Sequence, residues 1–188
     1  MIKISDKRLL QLKKNFKGKR IAVIGDMMLD IYFWGDVKRI SPEAPVPVLE
    51  VEDEFYRFGG AANCSLNIAK LNGVPHPVGV IGYDNFGTVF NSLLAEQNIS
   101  HHGIILDDTR PTTAKTRVIA DSQHIVRIDK ESKETIGQNI QNKIFDYVKI
   151  IIKNIDGIIL QDYNKGVLSS SLISQIIELA NKNKILVT

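Results

Sequence analysis

With 188 residues, 44% of them hydrophobic, and a net charge of only +3, the chain can bury a sizeable core but lacks the concentrated basic face of a general nucleic-acid binder. Its single cysteine, Cys64, excludes an internal disulfide and suits a reducing compartment. No apolar run reaches membrane-spanning length and no signal-peptide core opens the sequence, so a mature cytoplasmic protein that does not engage membrane is expected.

The first 20 residues read as a separate N-terminal helix. Ser5 is its cap, Leu9, Leu12 and Phe16 its apolar stripe, and the lysines that follow are the solvated end. From residue 21 to 188 the pattern is that of an α/β domain. Ile21, Ala22, Val23 and Ile24 form a continuous apolar run, as a buried parallel strand does, and ligands in open α/β sheets gather beyond the carboxyl ends of such strands. That end carries Gly25-Asp26-Met27-Met28-Leu29-Asp30 instead of Gly-x-Gly-x-x-Gly, which argues against a dinucleotide site. Asp26 and Asp30 read equally as turn residues or as carboxylates able to accept hydrogen bonds from two vicinal sugar hydroxyls.

The βα rhythm is then interrupted. Residues 31–34 and 46–51 read as strands, and Pro45 and Pro47 confine the second to a sheet edge. Residues 116–120 and 124–128 form a hairpin about Asp121-Ser122-Gln123. Two β excursions, about 31–57 and 111–130, predict a small lid sheet over a ligand cleft, with exposed edges at which two subunits pair.

Between the excursions lies Gly59-Gly60-Ala61-Ala62-Asn63, two glycines running straight into a small-residue helix ended by Gly73. Paired glycines let backbone approach a ligand closely, and Asn63, one turn in, both donates and accepts, which suits a hydroxyl. A plain turn before a packed helix is the alternative. Strands at 78–82, 104–106, 157–160 and 185–187 alternate with helices whose apolar residues recur at helical spacing, as at Phe86, Val89, Phe90, Leu93 and Leu94. The expected fold is a three-layer, mostly parallel α/β sheet with a small β lid. His76, His101, His102 and His124 lack metal-ligand spacing, and Cys64, inside the small-residue helix, reads as a packed thiol.

Several blocks resemble the ribokinase-type (PfkB) sugar kinases over nearly the whole chain from Arg20 onward. They are residues 25–30, Gly59-Gly60-Ala61-Ala62-Asn63, residues 79–84, residues 115–118 and Asp162-Tyr163-Asn164-Lys165-Gly166. Residues 39–48, Arg-Ile-Ser-Pro-Glu-Ala-Pro-Val-Pro-Val, resemble the branch that phosphorylates D-glycero-D-manno-heptose 7-phosphate. The resemblance implies a ribokinase-like fold, with Asp30, Gly59, Gly60 and Asn63 at sugar-binding positions and Asp162 and Lys165 near the phosphoryl-transfer centre. It implies ATP and Mg2+ as cofactors of the complete enzyme and the anomeric hydroxyl as acceptor, in ADP-heptose and lipopolysaccharide synthesis. Lys115, Arg117 and Arg127, cations of the expected lid, are assigned to the 7-phosphate on charge.

Family members continue to a Gly-Ala-Gly-Asp motif that supplies the catalytic base and an anion hole, and these 188 residues contain none. The expectation is therefore a C-terminally truncated domain, with the base beyond Thr188, no catalytic residue in the chain, and little or no activity without a missing C-terminal half. Another PfkB-type kinase, such as a ribokinase or fructokinase, and a non-catalytic sugar-binding truncated or split protein are the alternatives.

Overall fold

The computed structural model describes residues 4–121 and 123–188. Helix α1 (Asp6–Phe16) precedes β1 (Arg20–Gly25), which leads almost without a break into the long β2 (Met27–Ile40) and then β3 (Pro47–Gly59). Helix α2 (Gly60–Lys70), β4 (Val74–Gly82), α3 (Asn85–Glu96) and β5 (Ile104–Asp107) follow. The hairpin β6 (Thr113–Ala120) and β7 (Gln123–Lys130) comes next, then α4 (Gln138–Ile151), β8 (Gly157–Gln161), α5 (Ser170–Lys182) and β9 (Leu186–Val187). Ser122, in the expected hairpin turn, lies outside the described residues.

Five parallel strands form the main sheet in the order β5-β4-β1-β8-β9. Side chains alternate across each strand, so β1 divides its residues between two cores. Ala22 and Ile24 join Ile144 and Val148 of α4 and Leu172 and Ile176 of α5. Val23 faces the opposite way, into a cluster with Ala61 and Ala62 of α2 and Phe90 and Leu94 of α3. Helices cover both faces, which is why β1 is apolar without alternation.

The pattern at β4 hides half of the strand. Pro75 and Pro77 lack amide hydrogens, yet both pair in register with β1, opposite Ile21 and Val23. The other edge of β4 is paired with β5 only from Gly79 onward, so the proline nitrogens face the side that has no ladder to complete.

The second sheet has the order β3-β2-β6-β7; β2 and β6 run parallel and the other pairs antiparallel. Pro47 opens the edge strand β3, as its position requires. One face of this sheet, with Leu29, Ile31, Phe58 and Ala114, closes onto the core beside α2 and α3. One expectation is corrected. The chain does not remain in a loop to Asp30, because β2 starts at Met27 and puts Asp30 in mid-strand. Helix α1 forms with the expected Ser5 cap, which accepts from the Arg8 amide at 3.3 Å, and Leu9 and Phe16 of its apolar stripe are exposed.

Candidate active site

The register of the second sheet places the polar site residues. Asp30 on β2 stands opposite Arg57 on β3 and Lys115 on β6, so the three share one face, away from Leu29 and Ile31. Two residues further along β2, Tyr32 lies between Phe55 and Arg117. The Tyr32 and Phe55 rings stack at 4.8 Å, with Arg57 over Phe55 at 5.0 Å and Arg117 over Tyr32 at 5.2 Å.

Arg117 Nη1 donates to Asp30 Oδ1 at 2.7 Å, with both side chains about four-fifths buried. Burial alone would lower the Arg117 pKa; the hydrogen bond and charge of Asp30 outweigh it and raise the pKa. Gly59 lies against the same carboxylate, so a Cβ there would stand 2.9 Å from Asp30 Oδ2. Gly60 has φ +54, and a Cβ on it would stand 2.4 Å from the Asp26 carbonyl. That carbonyl accepts from the Ala61 amide at 3.0 Å, so α2 starts hard against the β1–β2 junction.

Asn63, exposed on the first turn of α2, lines a recess of about 410 Å3 with Arg57, Lys70 and Gln97 between β3 and the two helices. Cys64 beside it is half-buried, and burial pushes its thiol pKa up, away from the reactive thiolate.

The remaining predicted cations sit in a chain of ion pairs. Arg127 grips Asp129 through Nε at 2.9 Å and Nη2 at 3.1 Å. Lys115 bridges Asp129 at 3.0 Å and Glu131 at 3.2 Å, and Glu131 continues to Lys165 at 2.8 Å. The Lys165 ammonium, then Lys115, holds the Glu131 carboxyl below its usual range; Lys115, then Arg127, does the same for Asp129.

Lys165 belongs to the loop after β8, which is pinned from three sides. The Asp26 carboxylate, 1% exposed, accepts from the amides of Tyr163 at 2.7 Å, Lys165 at 3.2 Å and Val167 at 3.4 Å. Arg110 donates to the carbonyls of Lys165 at 2.6 Å and Ser132 at 3.0 Å. Glu131 takes the Lys165 side chain. Asp162 is exposed, and its Oδ1 accepts from the Asn164 amide at 2.7 Å, an Asx turn. Asp26 is therefore not a free hydroxyl acceptor; it ties this loop to the end of β1.

The fold agrees with what comparison of the chain with known proteins finds. The profile of the pfkB family of carbohydrate kinases matches residues 19–188. The chain belongs to this family. Among curated relatives, the bifunctional protein HldE of Helicobacter pylori strain J99 is 48% identical over 165 residues, 88% of this chain and 36% of the relative. HldE of Helicobacter hepaticus is 41% identical over 171 residues, 91% of this chain and 36% of the relative. The chain thus spans about a third of the length of these relatives. Solved structures share the fold at low identity. One is a phosphofructokinase of Staphylococcus aureus described as putative (TM-score 0.68, 14% identity, 89% of this chain and 51% of that one). Another is Arabidopsis thaliana ribokinase complexed with ribose and ATP (TM-score 0.60, 16% identity, 91% of this chain and 52% of that one).

Within this pfkB architecture Asp30, Gly59, Lys115 and Arg117 meet on one sheet face, and Lys115 is linked through Glu131 to Lys165. Arg127 lies at the outer edge of the same face, Asn63 borders the recess beside Arg57, and Asp162 points to solvent. Sequence reasoning missed Arg57, the Tyr32–Phe55 stack, Arg110 and the carboxylates Asp129 and Glu131. Only Arg57 left a local signal, a cation two residues before the glycine pair on the strand that delivers it.

Proposed function

We propose that this chain is the sugar-binding portion of a kinase that transfers the terminal phosphoryl group of ATP to the anomeric hydroxyl of D-glycero-D-manno-heptose 7-phosphate. The product, a heptose 1,7-bisphosphate, would serve ADP-heptose and lipopolysaccharide synthesis in the cytoplasm. The observation that carries this reading is the Asp30–Arg117 pair set against the Gly59–Gly60 turn. A carboxylate paired with a guanidinium keeps lone pairs that can accept from two adjacent hydroxyls, and a glycine against it leaves room for a sugar ring. Asn63 supplies a further donor and acceptor. The likeness to the HldE proteins and the block at residues 39–48 favour a heptose over ribose or fructose, and the cationic side of the second sheet, with Lys115, Arg117 and Arg127, suits a substrate that already carries a phosphate.

In this reading the second sheet is a lid. Its outer half presents Val37, Leu49, Val118 and Val126 around an apolar cavity of about 340 Å3, the surface through which two copies would pair as a homodimer. Among the described residues no three carboxylate, histidine or cysteine side chains converge as metal ligands. The sequence also contains no Gly-Ala-Gly-Asp motif. Asp162 and Lys165 are placed at the edge of the phosphoryl-transfer centre, where the complete enzyme would use ATP and Mg2+. Phosphoryl transfer depends on positioning and charge stabilisation, and the contribution assigned here is positioning of the acceptor sugar.

Calorimetry with heptose 7-phosphate, ribose and fructose tests the reading. Heptose 7-phosphate should bind best, and Asn63→Ala should weaken it about fivefold to tenfold, the worth of one hydrogen bond. Preference for either unphosphorylated sugar would replace the heptose reading with a ribokinase-like or fructokinase-like one, and binding of none of the three would overturn it.

A further inference from the structure

Glu131 is the first residue beyond β7, and its two oxygens go to two different lysines. Oε2 accepts from Lys115 Nζ at 3.2 Å and Oε1 from Lys165 Nζ at 2.8 Å. The three side chains are only 13–18% exposed. Lys115 stands opposite Asp30, and the Lys165 backbone is fixed by Asp26 through its amide and by Arg110 through its carbonyl. Both lysines are thus set by the fold, from a paired strand and from a pinned loop. Glu131 lies past the last rung of its own strand, and a further cation is within its reach: Lys133 Nζ, on a side chain 69% exposed, is 3.9 Å from Oε1. A carboxylate spanning two ammonium groups occupies the place that the O–P–O edge of a phosphate would take, since lysines bind phosphate as point charges.

We propose that Lys115 and Lys165 form a site for a terminal phosphate group, that Glu131 fills it from within the chain, and that Glu131 is thereby a specificity-determining residue. A tethered carboxylate is present at high effective concentration, so free phosphate competes poorly with it. A ligand that also bonds to Asp30 through its hydroxyls brings the additional interaction needed to turn Glu131 out toward Lys133. Asp129, gripped by Arg127 through two hydrogen bonds, stays in place, so only one carboxylate has to move. The inference rests on the sugar-phosphate reading given above, and it adds Lys165 and Glu131 to the recognition of the ligand. Two substrates of that reading carry such a group, the sugar phosphate and the nucleotide.

The test is calorimetry of wild type, Glu131→Gln, Glu131→Ala and the double variant Glu131→Gln/Lys165→Met against inorganic phosphate, heptose 7-phosphate, the unphosphorylated heptose and ATP. Both single variants should bind inorganic phosphate about tenfold more tightly than wild type, the worth of removing one charge-assisted competitor. Their affinity for the unphosphorylated heptose should stay within twofold of wild type, and Lys165→Met should abolish the gain. A variant that merely loses structure cannot gain affinity, so the sign of the change separates the proposal from damage to the fold. A gain for heptose 7-phosphate assigns the site to the sugar's phosphate, and a gain for ATP alone assigns it to the nucleotide's. Phosphate affinity unchanged or lowered in both Glu131 variants overturns the proposal, and a wild type that still prefers heptose 7-phosphate over the free heptose then leaves the substrate reading standing. A gain in phosphate affinity with no binding of either heptose keeps the anion site and removes the substrate reading.

Discussion

Replacing Asp26 should release the loop after β8 without touching the sugar-facing side of the second sheet. The carboxylate is 1% exposed and accepts three backbone amides, Tyr163 and Lys165 on Oδ2 and Val167 on Oδ1. In Asp26→Ala these donors lose their acceptor, at about 1–3 kcal/mol for each amide left unsatisfied. Two are only part-buried and water can reach them, and the third bond is long, so the sum is taken at the lower end, about 4 kcal/mol. For a domain of this size that lowers Tm by roughly 8–16 °C, at about 2–4 °C per kcal/mol. Asp26→Asn keeps the shape and one good acceptor while turning an N–H toward the remaining amide, and should cost about half as much. Thermal unfolding followed by circular dichroism gives the shift, and hydrogen exchange at the Tyr163, Lys165 and Val167 amides locates it. A drop below about 2 °C in Asp26→Ala, with exchange at those amides unchanged, would refute the assignment of Asp26 as the tether.

Gly60→Ala should destabilise by about 3 kcal/mol or more, because φ +54 disfavours a side chain and the Asp26 carbonyl occupies the Cβ position. Denaturant unfolding measures it, and a loss under about 1 kcal/mol would show that the turn relaxes freely. The carboxyl of Glu131 is held below its ordinary 4.5 by Lys165, so its contribution is fully present above that value and is lost as pH falls below it. The wild-type acid transition should therefore be steeper than that of Glu131→Gln, by a stability difference of about 1 kcal/mol, and superimposable pH profiles would mean the bridge contributes nothing. Val126→Asp places a charge on the apolar outer face of the second sheet and should convert the proposed dimer to monomer in sedimentation equilibrium; a wild type that is already monomeric removes that interface.

Much of the architecture is local information. The unbroken run at β1, the helical spacing of Phe86 to Leu94 and the prolines that hold β3 at an edge each follow from one element and its immediate physics. What escaped was information about partners. The expected strand at 78–82 stops short of Pro75 and Pro77, whose place in β4 follows only once β5 is seen to begin beside Gly79 and leave their side of the strand unpaired. Met27 to Asp30 read as a turn because Gly25-Asp26 has turn chemistry, whereas Asp26 is used to hold another segment. Lys115 and Arg127 were legible as cations, but their neutralisation by Asp129 and Glu131 depends on a strand register fixed only when the hairpin folds against β2. The amphipathic spacing of α1 was real and still buried little, since periodicity specifies a face and not a neighbour for it.

The 14-residue β2 has a mechanical consequence. Met27, Leu29 and Ile31 are locked in the core, while Ile40, at the far end of the same strand, is 61% exposed. A sheet anchored this way cannot swing as a door about its attachment, because the attachment is the buried half of one of its own strands. The pairing with β3 is irregular at Trp34/Gly35 and again at Val37/Arg39, and there the backbone is packed so closely that a Cβ on Gly35 would meet the Glu50 carbonyl. Flexing is thereby confined to the outer portion. Asp30, Arg57 and Arg117 stay on a stiff platform whatever the tip does, and a substrate would meet a fixed binding surface under an awning that bends.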